Sequence, residues 1–296
     1  MENEIKPRGH WVIKANGERE LFDEEKLKDS LRHAGAEEDA ILTIVESIVS
    51  ELRDGVSTQK IYRHAFALLK KERGEVAARY SLRRAIRELG PSGFPFERYV
   101  GEMLKAKGYS VQVGVIVQGW CVDHEVDVSA RKDGTHTLIE CKFHNEEGFK
   151  TDLKVALYVK ERFQDIEKRH TTIKGSDERF HEAWLITNTK FTSKAIQYAE
   201  CAGLTLIGWS YPVKGNLRDL INETRLQPVT MLTSLSATDK RRLMENDIVL
   251  CRDIPGKEGI LHGLGIDGKK LLRVLGEIEI LQSTIPKTPH DPIHTV

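Results

Sequence analysis

The sequence predicts an α/β multidomain protein, with a mixed sheet in its central part and helices towards both ends. Its 296 residues exceed the roughly 100 to 200 of a single domain. Gly90-Pro91-Ser92-Gly93 interrupts a helical pattern, and strand-like segments alternate with helix-like ones beyond it. We therefore expect domains over residues 10–90, 91–212 and 213–285, followed by a flexible tail over residues 286–296.

The N-terminal domain is predicted to be a hairpin followed by helices. Trp11-Val12-Ile13 and Glu20-Leu21-Phe22 have strand composition, and Asn16-Gly17 between them is typical of a tight turn. Asp23 can then cap a first helix that ends at Gly35. Apolar residues at helical spacing predict helices over residues 24–34, 41–52, 58–68 and 75–89.

The central segment begins with a helix that Gly108 ends, and it then alternates between the two strand and helix periods. Arg131-Lys132-Asp133-Gly134 is the turn of a hairpin. The strands are predicted over residues 109–117, 123–130, 137–144, 183–187 and 204–209. The helices are predicted over residues 96–107, 149–168 and 193–202. This alternation favours some parallel pairing, and a small C-terminal helical segment follows with helices over residues 217–223, 237–246 and 268–280.

Composition restricts the function classes. Lys+Arg and Asp+Glu both number 45, so net charge does not indicate a polyanion partner, and a nucleic-acid surface must be local. The four cysteines are far apart and lack C-x-x-C spacing, which argues against a zinc site or disulfide framework. The N-terminus lacks an apolar signal core, and no run approaches the roughly 20 apolar residues that span a bilayer. We expect a soluble cytoplasmic protein with no membrane partner.

The hairpin over residues 123–144 carries the candidate catalytic residues. Strand period places Glu140 and Lys142 on one face of their strand. Regular alternation places Asp127 on the face of its own strand that does not carry Val126 and Val128, where its carboxylate can approach Glu140. Carboxylates of this kind suit Mg²⁺ or Mn²⁺, and a nearby lysine can stabilise charge that develops on a phosphate.

The predicted metal ligands are therefore Asp127, Glu140 and the carbonyl of Cys141. Lys142 would orient the attacking water or stabilise the transition state, and Glu97 is a possible fourth catalytic residue. The alternative is that Glu140 and Lys142 form an exposed strand ion pair of little energetic value. Glu97 would then be a helix N-terminal acid favoured by the helix dipole.

These residues carry a family resemblance. Asp127, the hairpin and Glu140-Cys141-Lys142 resemble the D…(D/E)-x-K signature of the restriction-endonuclease-like nucleases. Phe96-Glu97-Arg98-Tyr99-Val100 and Leu185-Ile186-Thr187-Asn188 resemble the Mrr-like type IV branch, over about residues 92–211. The resemblance implies a restriction-endonuclease-like α/β/α core, and a metal-dependent endonuclease acting on DNA, in whose family an acid of the first helix often contributes to the site.

The N-terminal segment carries a second resemblance. Val12-Ile13-Lys14, Phe22-Asp23 and Ser57-Thr58 with Ile61 resemble the ATP-cone, the nucleotide-sensing domain of ribonucleotide reductases and their repressors. The resemblance implies that ATP or dATP binds among Val12, Lys14, Glu20, Asp23, Lys26, Thr58 and Ile61. Lysines can meet phosphates while Val12 and Ile61 hold the base between them. The alternative is an amphipathic helical module whose lysines only keep it solvated.

The C-terminal segment carries a looser resemblance. Leu235-Ser236-Ala237 before Lys240-Arg241-Arg242, and Gly263-Leu264-Gly265-Ile266 before Lys269-Lys270, resemble helix-hairpin-helix elements. In such elements glycine-rich turns present backbone amides to DNA phosphates, which positions the protein without reading sequence. A small packed helical domain with a solvated basic face fits the same residues.

Together these features predict a Mg²⁺-dependent deoxyribonuclease controlled by an adenine nucleotide, acting in defence against foreign or modified DNA. The phosphate-binding motif G-x-x-x-x-G-K-[ST] is absent, so ATP would be an effector and not a fuel. Cutting both strands would favour a homodimer or a higher homo-oligomer. Two alternatives remain open: a nucleotide-responsive DNA-binding regulator with an inactive nuclease fold, and cleavage of RNA.

Overall fold

The computed structural model describes residues 9–14, 17–72, 76–77, 80–146, 148–172 and 180–283. It divides into two compact units, one of Met1–Arg84 with Glu146–Phe149 and one of Ala85–Asn145 with Lys150–Val296. The predicted tail over residues 286–296 lies outside the described residues. So do Asn16 of the predicted turn, and residues 75, 78 and 79 of the predicted fourth helix.

The first unit is the predicted hairpin with its helices. Strands β1 (Trp11–Ile13), β2 (Arg19–Leu21) and β3 (Val56–Ser57) form a sheet in the order β2-β1-β3, antiparallel for β1 with β2 and parallel for β1 with β3. Its helices are α1 (Glu24–His33), α2 (Glu38–Glu51) and α3 (Thr58–Glu72). Their apolar faces pack with β1 around one buried core, so amphipathic spacing accounts for this fold.

A mixed five-stranded sheet forms the centre of the second unit, in the order β10-β8-β6-β5-β4. Its strands are β4 (Ser110–Gln118), β5 (Asp123–Lys132), β6 (Thr135–Lys142), β8 (Glu182–Thr187) and β10 (Thr205–Ile207). Pairing is antiparallel from β4 to β6 and parallel from β6 to β10, which confirms the predicted mixed sheet. Two further short strands, β7 (Lys150–Thr151) and β9 (Lys190–Phe191), pair in parallel.

The turn between β5 and β6 is tighter than predicted. Arg131 and Lys132 belong to β5, so only Asp133 and Gly134 form the turn. Both have positive φ, 50° and 78°, which is the backbone of a two-residue hairpin turn and explains why Asp-Gly stands there.

Helices cover both faces of this sheet. After α4 (Leu82–Arg87), helix α5 (Phe94–Ala106) packs on β4 and β5, and Gly101 allows a close approach because a Cβ there would lie 2.8 Å from Val113. Val113 aligns through Val128 with Ile139, so these three side chains face α5. Helices α6 (Leu153–Thr172) and α7 (Ser193–Ala202) pack against the other face, which carries Leu138.

The regular alternation predicted for β5 is wrong at Asp127. Val128 faces α5 through its alignment with Val113, whereas Val126, two residues earlier, lies in the apolar cluster with α6. The partner strand β4 breaks its alternation at Gly114, which has a φ of 65°. A glycine at positive φ interrupts the regular pleat of a strand, so the residues before and after it can face the same way or opposite ways. Asp127 lies between the two β5 residues that align with Val113 and Val115, and therefore at this local irregularity of the sheet.

Small helices form the last part of the described chain, three of them at predicted positions and one, Glu258–Gly263, not predicted. They are α8 (Leu217–Thr224), α9 (Ala237–Glu245), α10 (Glu258–Gly263) and α11 (Gly268–Ser283), with short 3₁₀ turns at Val229–Met231 and Cys251–Asp253. The Tyr99 hydroxyl of α5 donates to the Leu226 carbonyl oxygen at 2.6 Å and fixes this segment. Within the described part of the chain, no helix has both the length and the apolar character needed to cross a bilayer.

Candidate functional site

Asp127 lies where β5 and β6 separate. The aligned pairs of the two strands end at Val128 and Ile139. Beyond that point, the backbone N–H of Cys141 donates to Asp127 Oδ2 at 2.7 Å. The Asp127 carboxylate therefore takes the place of the backbone carbonyl oxygen that would accept this hydrogen bond in a regular strand pair. Because Cys141 follows Glu140, this bond brings the two predicted metal ligands, Asp127 and Glu140, close together.

Glu140 has an ion partner that the sequence reasoning missed. Arg162 of α6 donates from Nη1 to Glu140 Oε2 at 2.6 Å, and the two side chains are only 14% and 22% exposed. An exposed pair between Glu140 and Lys142 is therefore not what the structure shows. The available signal was that Arg162 falls on the same helical stripe as Val159 and Ile166, which predicts a cation on a buried face.

Glu97, in the first turn of α5, shares its surroundings with these acids. Burial, followed by the charges of Asp127 and Glu140, raises the pKa of Glu97 to about 7. Burial and the charge of Asp127 likewise raise the pKa of Glu140 to about 7, against the opposing effect of Arg162. Burial also raises the pKa of Asp127, although the Cys141 N–H opposes it. The structure thus groups three of the predicted acids in a space that is short of positive charge.

Lys142 and Cys141 complete the predicted motif. Lys142 is exposed at the end of β6, and its charge lowers the pKa of Asp127 and Glu140 as a minor cause. Cys141 is 7% exposed, and burial raises the pKa of its thiol well above the usual range, so the sulfur stays neutral. The predicted role of Cys141 as a metal ligand uses its carbonyl oxygen and stays a prediction.

The donor set fits a hard divalent cation. Carboxylate oxygens with unrelieved mutual repulsion are the ligands that Mg²⁺ and Mn²⁺ prefer, and a dication would relieve that repulsion. In the described ranges, no group of three or more His, Cys, Asp or Glu side chains is placed so that it could hold a metal ion, so the fit rests on the chemistry of the donors. Arg162, bonded to Glu140, supplies part of the missing positive charge.

A buried hydrogen-bond network holds the chain just after Lys142. Asn188, 1% exposed, donates to the His144 carbonyl oxygen at 2.8 Å and accepts from the His144 N–H at 2.9 Å. The Thr187 hydroxyl donates to the Lys142 carbonyl oxygen at 2.7 Å. Thr187 is the last residue of β8, the parallel neighbour of β6, and Asn188 follows it, so the two fix the end of the strand that carries Glu140 and Lys142. Their contacts could not be predicted because the pairing of β6 with β8 was unknown.

The predicted nucleotide residues of the first unit include an exposed charge cluster. Lys14 Nζ lies 2.7 Å from Glu20 Oε2, and Lys26 Nζ lies 3.8 Å from the same oxygen. The hydrogen bond to Glu20 raises the pKa of Lys14. Asp23 caps α1 by accepting from the Lys26 N–H at 3.2 Å and lies 3.7 Å from the Lys26 ammonium. The structure brings these four residues together from the end of β1, from β2, and from the N-cap and first turn of α1.

The other three predicted nucleotide residues lie differently. Val12 and Ile61 are 2% and 8% exposed and belong to the apolar core of the unit. Thr58 begins α3 and is partly buried. A base held between Val12 and Ile61 would have to enter this core, so their predicted contact with the base stays a prediction.

Two of the predicted basic residues in the C-terminal segment make internal contacts. Lys240 donates to the Thr230 carbonyl oxygen at 2.7 Å, and Lys270 pairs with Asp239 at 2.9 Å. Gly265 has a φ of 74° in the turn between α10 and α11, as a helical hairpin requires. These contacts favour the packed helical domain, and DNA binding by this segment stays a prediction.

Comparisons with known proteins divide the chain into three parts. The ATP cone domain matches residues 11–89, the restriction endonuclease family of the Mrr catalytic type matches residues 89–209, and a family described as AF1548-like, C-terminal, matches residues 228–281. The predicted fusion of an ATP-cone to an Mrr-like nuclease domain is therefore confirmed.

Relatives extend this result. An uncharacterized protein of Archaeoglobus fulgidus is 38% identical over 182 residues, which cover 60% of this chain and 97% of that protein. The crystal structure of the protein of unknown function AF1548 has 36% identity and a TM-score of 0.54, covering 65% of this chain and 100% of that one. Protein VC1899 from Vibrio cholerae has 15% identity and a TM-score of 0.32, over 68% and 52% of the two chains, which is too low to support an inference.

Proposed function

Because the chain belongs to the AF1548-like family and joins an ATP-cone to a restriction-endonuclease domain, we propose that it is a metal-dependent endonuclease controlled by ATP or dATP. The observation that carries the proposal is the convergence of Glu97, Asp127 and Glu140 beside Lys142. Burial raises the pKa of all three acids, and the charge of Asp127 raises the pKa of Glu97 and Glu140 further. Such clustering is typical of sites that bind cations or catalyse proton transfer.

Each residue has a defined task in this proposal. Asp127, Glu140 and the carbonyl of Cys141 would hold Mg²⁺ or Mn²⁺, which supplies charge neutralisation at the phosphate and an acidified water. Lys142, exposed beside them, stabilises negative charge on the phosphate oxygens of DNA. Glu97, whose pKa of about 7 leaves it close to half-protonated near neutral pH, can accept or donate a proton.

The ATP-cone supports control by a nucleotide. Lys14 and Lys26 converge on Glu20, so a nucleotide phosphate would replace this carboxylate as the partner of both lysines. ATP would act as an effector, since the phosphate-binding motif G-x-x-x-x-G-K-[ST] of ATP-hydrolysing motors is absent from the sequence. We further propose the domain division 10–90, 91–212 and 213–285, a homodimer that cuts both strands, and action in the cytoplasm against foreign or modified DNA.

The test is cleavage of plasmid and of modified DNA by the full chain, with and without Mg²⁺, and with and without ATP or dATP. Wild type is expected to cut only with metal. Glu140→Ala and Lys142→Ala should lower the rate by at least about 100-fold, because each removes an interaction made with the transition state. Asp133→Asn, in the turn of the same hairpin, is the matched control and should keep the wild-type rate.

Two results would count against the proposal. Cleavage that both substitutions leave unchanged would place the site elsewhere. Nucleotide-dependent DNA binding without cleavage under any metal condition would favour the alternative of a DNA-binding regulator. An RNA substrate included in the same assay separates deoxyribonuclease from ribonuclease activity.

A further inference from the structure

The partner of Glu140 has a consequence for metal binding. Arg162 Nη1 lies 2.6 Å from Glu140 Oε2, and both side chains are largely withdrawn from water. Glu140 is a ligand in the proposed metal site, so the carboxylate already carries a cation. A divalent cation on either oxygen of this largely desolvated carboxylate would strongly repel the guanidinium bonded to Oε2.

The surroundings of Arg162 allow it to leave. Its guanidinium carbon lies 5.2 Å from the centre of the Tyr158 ring, and Tyr158 is 58% exposed, so the stacked guanidinium is next to the solvent-facing surface of α6. In the described part of the chain, Arg162 bonds Glu140 through one nitrogen, Nη1. The contact is therefore monodentate, and a bidentate contact would hold the arginine more firmly. The space around the pair is otherwise lined by apolar side chains, including Val126, Leu138 and Phe163.

We propose that Arg162 is the resident counter-cation of the nuclease site, which holds Glu140 in the metal-free protein and gives it up when a divalent cation binds. The inference rests on the proposed function of the site. Arg162 thereby sets the metal concentration at which the site fills. It is a positioning residue, because it acts through Glu140.

Mn²⁺ binding to the metal-free full chain, measured by electron paramagnetic resonance at pH 8, tests the exchange without any activity assay. Arg162→Gln removes the competing charge and is expected to bind Mn²⁺ about tenfold more tightly than wild type. Arg162→Lys keeps a charge at the position and should stay within about threefold of wild type. Arg169→Gln makes the same charge change two turns along α6, where Arg169 bonds Gln118, and should leave the affinity unchanged.

The outcomes separate the two claims. If Arg162→Gln binds Mn²⁺ as well as wild type or less well, Arg162 only fastens α6 to β6 and the exchange is wrong. If Asp127→Asn binds Mn²⁺ as well as wild type, the metal site itself is wrong, and the exchange with it. Circular dichroism establishes that each variant is folded.

A second measurement keeps the proposal testable if Arg162→Gln does not fold. The side-chain ¹⁵N signal of Arg162, identified by its disappearance in Arg162→Lys, should shift when Mg²⁺ is added to wild type. A signal that saturating Mg²⁺ leaves in place would overturn the exchange.

Discussion

The cluster of acids and cations in the restriction-endonuclease domain and the one at Glu20 in the ATP-cone domain differ in solvation. In the nuclease domain, burial and repulsion raise the pKa of Glu97 and Glu140 to about 7. In the ATP-cone, Lys14 and Lys26 neutralise Glu20 at a surface where their side chains are 37% and 67% exposed. The comparison indicates that burial determines in which cluster the negative charge is not fully neutralised by neighbouring cations.

The difference predicts different ligands and different sensitivity to mutation. The three acids of the nuclease domain are partly buried and outnumber the nearby cations Arg162 and Lys142, so a further cation relieves their repulsion. The exposed cluster is already paired and screened by water, so an anion must exchange with Glu20 to bind. We expect changes in the nuclease domain to affect stability and chemistry together, and changes in the ATP-cone to affect nucleotide affinity with little effect on folding.

The largest effect on stability is expected at Asn188, which supports the buried site. Asn188→Ala removes both hydrogen bonds to the His144 backbone. It should lower the free energy of unfolding by about 2 to 4 kcal/mol, because buried polar groups lose their partner. Asn246→Ala, whose exposed amide donates to the Arg242 carbonyl oxygen, is the matched control and should cost less than about 1 kcal/mol. Equal losses in urea denaturation would contradict the support assigned to Asn188.

A second test addresses the exposed cluster. The double variant Lys14→Ala with Lys26→Ala should weaken ATP or dATP binding at least about tenfold, because each lysine gives a charge-assisted contact to phosphate. Lys28→Ala, on the same helix and paired with Glu25 at 2.7 Å, should bind as wild type does. Isothermal titration calorimetry measures both. Undiminished affinity in the double variant would remove these lysines from the nucleotide site.

The smallest effect is expected from Glu97, and it depends on pH. Its folded pKa of about 7 lies above the value of 4.5 for the unfolded chain, so the folded state binds the extra proton and loses stability as pH rises from 4.5 through 7. Glu97→Gln should therefore stabilise the metal-free protein at pH 8 by roughly 1 to 2 kcal/mol, after discounting for solvent screening, and have little effect at pH 4.5.

The matched control for Glu97 lies on the same helix. Lys105 and Arg252 lower the pKa of Glu102 against the opposing effect of its burial, so Glu102→Gln should destabilise the protein at pH 8. Thermal unfolding at the two pH values gives both signs. The same sign for both substitutions would contradict the electrostatic account of Glu97.

The sequence predicted the domain types and the grouping of Asp127 and Glu140 from local motifs, and the mixed sheet from the alternation of strands and helices. It did not predict the two-residue strand β3, the pair β7 and β9, or helix α10, which are too short to show a period. It also missed contacts between distant parts of the chain, notably Arg162 with Glu140 and Asn188 with His144. Such contacts depend on which strands and helices are neighbours, and spacing does not contain that information.

Asp127 shows the same limit within one strand. Period-two reasoning assigned its face from β5 alone, whereas Gly114 on the neighbouring strand changes the geometry there. The isolated glycine in the β4 pattern was the available signal, since such glycines mark irregularities in strands. The prediction was correct about which residue matters and wrong about how the backbone presents it.

The central claim is that the partly buried acids Glu97, Asp127 and Glu140 form a metal-dependent nuclease site, and single-turnover DNA cleavage across a range of Mg²⁺ concentrations tests it most directly. Wild type should show a saturable Mg²⁺ dependence. Asp127→Asn should lose at least about 1000-fold in rate at saturating metal, because it removes the carboxylate charge from the centre of the cluster. Asp123→Asn, at the exposed start of the same strand, should cleave as wild type does. Equal cleavage by the two variants at every Mg²⁺ concentration would contradict the account.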